Sequence, residues 1–252
     1  MSFERYVALG DSTTEGLEDP YPDGSYRGWA DRLARHLAAQ NPDLTYANLA
    51  IRGRKLPQIR AEQLEPALAL EPDLATILGG FNDIIRPSVD LAAIGADFDA
   101  LVAGLRGAGA TVLVMTYPDP TAVISLAAGR IRERVIAFNE TIRGVATEHG
   151  AVLVDLDRQG VTNPLYWSAD RLHANPLGHE RMAAAAASAL GVDPGEGWDE
   201  VLPMPAQASR PVRFARDAAW AGRHLTPWVV RRIRGRSSGD GRDPKRPDLG
   251  AL

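Results

Sequence analysis

The stretch RYVALGDST, residues 5–13, decides the fold. Its first half, Tyr6–Leu9, is a short apolar run with little polar alternation. That is the pattern of a strand covered on both faces of a parallel sheet. Its second half, Gly10-Asp11-Ser12-Thr13, favours a turn and sets a serine directly after the strand. Four similar apolar runs follow, at Thr45–Leu49, Leu74–Leu78, Thr111–Met115 and Val152–Asp155. Helix-period segments separate them: Gly28–Gln40, with Trp29, Leu33 and Leu37 four apart, then Leu56–Leu70, Asp90–Gly107 and Arg130–His149. An alanine-rich helix, Pro176–Leu190, follows the last strand, with Pro176 in its first turn. Pro66 is expected to kink the second helix. This alternation predicts an α/β domain with a doubly wound, five-stranded parallel sheet over about 190 residues. Such sheets bind ligands beyond the carboxyl ends of their strands, so chemistry is sought just after each strand.

Four signals stand at that edge. Ser12 follows the first strand, and a serine needs a base to become a nucleophile. Asp170-Arg171-Leu172-His173 follows the fifth strand. His173 can take the serine proton, and Asp170 can orient the imidazole and stabilise its cation. The same spacing also fits a capped helix start. A metal site would need a third ligand cluster, which does not accompany it, so neither a metal nor a cofactor is expected. Gly79-Gly80-Phe81-Asn82-Asp83 follows the third strand. Asn82 offers an amide N–H that could hold a developing oxyanion, and Gly80 permits an unusual backbone or a close substrate approach. Asn48–Gly53 follows the second strand, and the backbone N–H of Gly53 is a further candidate donor. Each signal alone is weak and has a turn-forming explanation. Together they put a serine, a glycine, an asparagine and an Asp-x-x-His pair where an open α/β sheet keeps its ligand.

These blocks, GDST at Gly10–Thr13, the run ending at Gly53, GFND at Gly80–Asp83 and DRLH at Asp170–His173, resemble in order those of the SGNH, or GDSL-type, hydrolase family. The resemblance spans about residues 5–190. It implies a three-layer α/β/α flavodoxin-like sandwich and ester hydrolysis through an acyl-enzyme. It makes Ser12 the nucleophile, His173 the base and Asp170 the orienting carboxylate. The oxyanion hole would combine the N–H groups of Ser12 and Gly53 with the Asn82 side chain. Thr13 replaces the leucine of the GDSL name, and Ala174 stands where a proline commonly follows the histidine. The same residues would serve an acyltransferase, and a non-catalytic binding protein on this fold would be marked by a lost triad member. For the substrate, Asp11, Gly80, Tyr166 and Trp167 are candidate contacts. Apolar residues of the loops Asp19–Gly28, Pro118–Arg130 and Thr162–Ser168 either line an acyl pocket or pack on the sheet. The partner is expected to be a small-molecule ester.

The rest of the chain sets limits. With 45% hydrophobic and 24% charged residues, a sizeable core is expected. Cysteine is absent, which removes thiolate nucleophiles and cysteine-ligated metals. No apolar run approaches the ~18 residues of a membrane span, and residues 1–12 lack the pattern of a secretory signal. Cytoplasmic location and a monomer are the expectations. Residues 210–252 hold 11 Arg/Lys against 4 Asp/Glu, and residues 1–209 hold 17 against 28. The acidic body argues against nucleic-acid binding. Three regions follow: a hydrolase domain over 1–192, a C-terminal extension over 193–234, and a basic tail over 235–252 expected to be disordered. Arg216–Arg234 reads as one basic amphipathic helix interrupted around Thr226–Pro227. Its charge favours docking on the acidic body over contact with a membrane. The tail also matches G-x-S-x-G at Gly235–Gly239, but without the strand and helix that motif requires.

Overall fold

The computed structural model describes residues 2–123, 128–157, 163–206 and 208–252. Its strands are β1 Arg5–Gly10, β2 Thr45–Asn48, β3 Leu74–Leu78, β4 Thr111–Met115, β5 Val152–Val154 and β6 Arg246–Gly250. They form one sheet in the order β5-β4-β3-β1-β2-β6, parallel throughout except for β6, which runs antiparallel to β2. The helices of the body are α1 Ser12–Glu15, α2 Gly28–Gln40, α3 Leu56–Ala69, α4 Phe81–Ile84, α5 Leu91–Gly107, α6 Ala128–His149 and α7 Pro176–Ala189. α2 packs with α7, and α5 packs with both α3 and α6, so helices cover both faces of the sheet.

Local causes are visible in each element. β1 buries every residue from Tyr6 to Gly10, and β3 buries all of Leu74–Leu78, which explains their unbroken apolar sequence. α2 buries Trp29, Leu33 and Leu37, the stripe read from their spacing. Asp90 caps α5 by accepting from Ala93 N, and Asn175 caps α7 by accepting from Gly178 N. α3 runs unbroken as helix from Leu56 to Ala69 with Pro66 inside it.

Beyond Leu190 the structure departs from expectation. The sheet has six strands, because the tail over 235–252, expected to be disordered, supplies β6. Its Pro, Gly and Arg content gives no apolar pattern. The pairing is carried by backbone bonds to β2, with Tyr46 opposite Gly250 and Asn48 opposite Arg246. This covers what would otherwise be an open sheet edge. Lys245 anchors the strand by reaching the buried Asp31 at 2.8 Å and donating to the carbonyls of Arg27 and Tyr26. The amphipathic segment starts earlier than expected, as α8 Arg210–Trp220. A widened turn over Ala221–Leu225 joins it to α9 Thr226–Ile233.

Candidate active site

The strand order reverses between β1 and β3, and their carboxyl ends carry Ser12 and Asn82. This is the crevice where a doubly wound sheet opens to a ligand. Gly10 ends β1 at φ +154°, so close to its neighbours that a Cβ there would collide with the Leu78 carbonyl oxygen. The Gln63 side chain fixes this glycine from α3, accepting from its N–H at 2.8 Å and donating to its carbonyl at 2.9 Å. Asp11 then caps α1 by accepting from Thr13 N, and Ser12 becomes the first helical residue. On the opposite flank, Asn139 of α6 accepts from Tyr117 N and donates to its carbonyl, both at 2.8 Å. Tyr117 lies just after β4.

Asp170 and His173 occupy one tight turn. Arg171 sits at φ +60°, a left-handed conformation that a side chain rarely adopts, and it lets the residues on either side face each other. The Asp170 carboxylate accepts from the N–H groups of Leu172 and His173 and from the Ser168 hydroxyl. Its other oxygen lies 2.6 Å from His173 Nδ1, and His173 Nε2 lies 2.8 Å from Ser12 Oγ. Burial acts to raise the Asp170 carboxyl, but the bonds from His173 and Ser168 outweigh it and hold it well below the usual carboxylate range. A carboxylate only accepts, so the ring proton sits on Nδ1 and Nε2 is left to accept from the serine hydroxyl. Ser12 and His173 are both buried.

Asp11, Ser12, Asn82, Tyr166, Trp167 and His173 line one cavity, whose walls are otherwise mostly apolar: Phe81, Leu156, Leu172 and Met182. Asn82 Nδ2 donates to Asp11 Oδ2 at 3.0 Å and to the Arg54 carbonyl at 3.2 Å, which holds the amide beside the serine. Burial raises the Asp11 carboxyl to about 6, even with bonds from Thr13 N and Asn82.

Two glycines fall elsewhere. Gly80, a candidate substrate contact, does not line the cavity. It adopts φ +117° as expected of its backbone, but its Cα faces the core, where a Cβ would meet the Phe138 ring and Leu56. Gly53 is buried, yet it also stands outside the lining. Its Cα lies under Ser237 and Ser238 of the tail, and Ser237 Oγ donates to its carbonyl at 3.4 Å. Among the loops, Pro118 lines the cavity with Tyr166 and Trp167, while Leu165 is exposed. Ile124, Leu126 and Thr162 lie outside the described residues. The loop Asp19–Gly28 serves another purpose. Burial acts to raise the Asp19 carboxyl, but bonds from Arg32 and Arg27 bring it down to about 2. Tyr21 lies beneath Arg27 and Arg35, and Tyr26 beneath Arg52, away from the cavity.

His179, in α7, bridges instead of reacting. Its Nδ1 accepts from Trp29 N at 3.0 Å and its Nε2 donates to the Leu17 carbonyl at 2.9 Å. Burial lowers it to about 4.

One contact has no sequence signal at all. Trp220 of α8 donates its indole N–H to the Asp170 carbonyl at 2.8 Å. Beside it, Arg171 pairs with Asp217 at 2.7 Å and lies over the Trp220 ring at 5.1 Å. The extension thus braces the outer side of the turn that holds Asp170.

Comparison with known proteins places the fold and the family. An acetylxylan esterase of Geobacillus stearothermophilus is 25% identical over 213 residues, covering 76% of this chain and 96% of its own. Among solved structures, LAE5, an alpha/beta hydrolase enzyme from the metagenome of Lake Arreo, Spain, matches with a TM-score of 0.64. It is 24% identical, over 75% of this chain and 96% of its own. TesA matches with a TM-score of 0.61 and 23% identity, over 74% of this chain and 98% of its own. The GDSL-like lipase/acylhydrolase family matches residues 8–181, more than two thirds of the sequence. The chain therefore belongs to the GDSL-like lipase/acylhydrolase family and is a carboxylic ester hydrolase.

Proposed function

We propose that the protein cleaves esters through an acyl-enzyme formed on Ser12. The observation that carries this reading is the unbroken line of contacts from Ser12 Oγ to His173 Nε2 at 2.8 Å and from His173 Nδ1 to Asp170 at 2.6 Å. Ser12 Oγ attacks the ester carbonyl carbon as its proton passes to His173 Nε2. The Asp170 carboxylate, ionised well below neutrality, stabilises the imidazolium that forms. The carbonyl oxygen becomes an alkoxide, held by the Ser12 backbone N–H and by the Asn82 amide, which turns one N–H to it from its bond to Asp11 or to the Arg54 carbonyl. The backbone N–H of Gly53 is a further candidate donor, since Ser237 and Ser238 meet this glycine at its Cα and its carbonyl. Collapse of the tetrahedral intermediate breaks the ester C–O bond, and the proton on His173 leaves with the alcohol. Water then gives a proton to His173 and attacks the acyl carbon; the second intermediate collapses by breaking its bond to Ser12 Oγ, which takes the proton back from His173 as the acid leaves.

The acyl group occupies the apolar side of the cavity, against Phe81, Tyr166, Trp167 and Met182. A panel of p-nitrophenyl esters of varied chain length and sugar acetates, run on the wild type and on Ser12→Ala, tests the proposal. Hydrolysis by the wild type alone is expected, with the variant keeping its fold. A variant that still turns over would remove Ser12 from the mechanism. Product analysis with an added alcohol reads whether water or the alcohol receives the acyl group.

A further inference from the structure

The segment from Arg210 to Ile233 forms a nearly continuous helical rod of 24 residues, about 36 Å long at ~1.5 Å per residue. Asp217, Trp220, Ala221, His224 and Leu225 are partly buried, and their spacing marks one stripe. Trp220 and Asp217 hold that stripe to the turn at Asp170 and Arg171. Around the rest of the rod, large apolar side chains stand in water. Phe214 is 76% exposed, Val212 43%, Val230 39% and Val229 37%. Arg210, Arg213, Arg216, Arg223 and Arg231 are exposed along the same rod. Residues 210–236 contain eight arginines and one acidic residue, Asp217.

We propose that this rod is an interfacial anchor that lies on an anionic lipid bilayer. Exposed apolar side chains on a helix call for a cover, and the arginines choose which. A second copy of the chain would bring its own arginines against these. A nucleic acid would pair with the arginines but leave Phe214 and Val212 in water. An anionic bilayer answers both, with headgroups for the guanidinium ions and the acyl boundary for the apolar side chains. The rod lies on such a surface and does not cross it, since no helix among the described residues is long and apolar enough to span a membrane. The body is acidic and the rod basic, so an anionic surface attracts one and repels the other. The difference acts within about a Debye length, ~8 Å at physiological salt, and it orients the molecule with its extension on the lipid. Trp220 then leaves the turn of Asp170 and His173 beside the bilayer.

The test is co-sedimentation of the full chain with phosphatidylglycerol vesicles and, in parallel, with phosphatidylcholine vesicles. Binding to the first, weak binding to the second and release by high salt are expected. The double substitution Val212→Ser with Phe214→Ser should cut the vesicle affinity by about tenfold, leaving hydrolysis of a soluble ester unchanged. Arg213→Gln with Arg216→Gln should weaken binding at low salt and flatten its salt dependence. Equal binding to both vesicles, or to neither, overturns the proposal. So does a double-serine variant that binds like the wild type. A dimer in light scattering that Phe214→Ser dissociates would give the rod to a second copy. Retention of duplex DNA without retention of phosphatidylglycerol vesicles would give it to nucleic acid.

Discussion

The body over residues 8–181 and the extension from Asp193 onward are built by opposite logic. In the body, each side chain of the candidate site sits just past the end of a strand, and the strand itself is largely buried and apolar. The position of Ser12 follows from β1, that of Asn82 from β3, and that of His173 from the turn after β5. In the extension, few side chains are buried; apart from Trp198, Leu202 and Leu249, which pack against the core, its contacts to the site are polar and distant in sequence. Trp220 meets Asp170 across 50 positions, and Lys245 meets the Arg27 carbonyl across 218. The body makes the site through packing. The extension acts on it through a handful of directed bonds, so its parts should be removable one at a time with graded effects.

The sharpest way to test that division is to strike the body at the relay. His173→Ala and Asp170→Asn should each lower kcat by about 10⁴-fold with the fold intact. Steady-state kinetics together with circular dichroism would check this. A loss below tenfold for either would mean that the body does not hold the chemistry in this turn.

The next effect is a stability, also in the body. His179 is neutral and buried, and its pKa falls from an ordinary value of 6.5 to about 4. The unfolded chain therefore binds this proton more readily than the folded one between those values. Stability from this group is complete above pH 6.5 and is lost as pH falls toward 4. The loss is about 3 kcal/mol in all, since a tenfold change in proton affinity is worth ~1.4 kcal/mol. Urea unfolding across pH 4–7 should show that slope in the wild type and a flatter one in His179→Gln. Parallel curves would exclude the bridge between Trp29 and Leu17 as the acid-sensitive point of the body.

The extension should give smaller numbers. Lys245→Met removes the cation from Asp31, which is 5% exposed and also accepts from the hydroxyls of Tyr46 and Tyr21. A loss of about 2 kcal/mol is expected, the worth of one hydrogen bond to a charged group, since the two hydroxyls stay on the carboxylate. Protection of β6 amides from hydrogen exchange should fall with it. Unchanged exchange at Arg246–Gly250 would mean that backbone pairing alone holds the strand. Smallest of all, Trp220→Phe keeps the ring beneath Arg171 but deletes the N–H to the Asp170 carbonyl. A single neutral hydrogen bond is worth about 1 kcal/mol, so kcat should drop by roughly fivefold with KM unchanged. Equal kcat for both proteins would leave the brace a purely structural contact.

The same contrast explains what can be read from the sequence. Five strands and five helices are legible within a residue or two, because buried parallel strands and amphipathic helices leave periodic traces. Ser12, Asp170, His173 and Asn82 are legible because a polar residue at a strand end has few purposes. Gly80 is legible as a backbone need but not as a core position, since a glycine does not announce which side of it is crowded. Here that side is the Phe138 ring, and its neighbours Phe81 and Asn82 line the cavity instead. The cover of Gly53 by Ser237 and Ser238 is not legible, because those serines lie in a stretch with no pattern. The clamps from Gln63 and Asn139 each look like one polar residue in a helix. Trp220 can be read as an aromatic on an amphipathic helix, but not as the partner of Asp170. β6 is invisible because an antiparallel edge strand held by backbone bonds needs no apolar sequence.

The central claim is that Ser12 is the residue that carries the acyl group. Treating the folded protein with a fluorophosphonate, followed by intact-mass and peptide mass spectrometry, tests it most directly. The account predicts one adduct per chain, on Ser12, formed with parallel loss of esterase activity and absent from a folded Ser12→Ala variant. An adduct on another serine with Ser12 unmodified, or full activity after Ser12 is labelled, would contradict it.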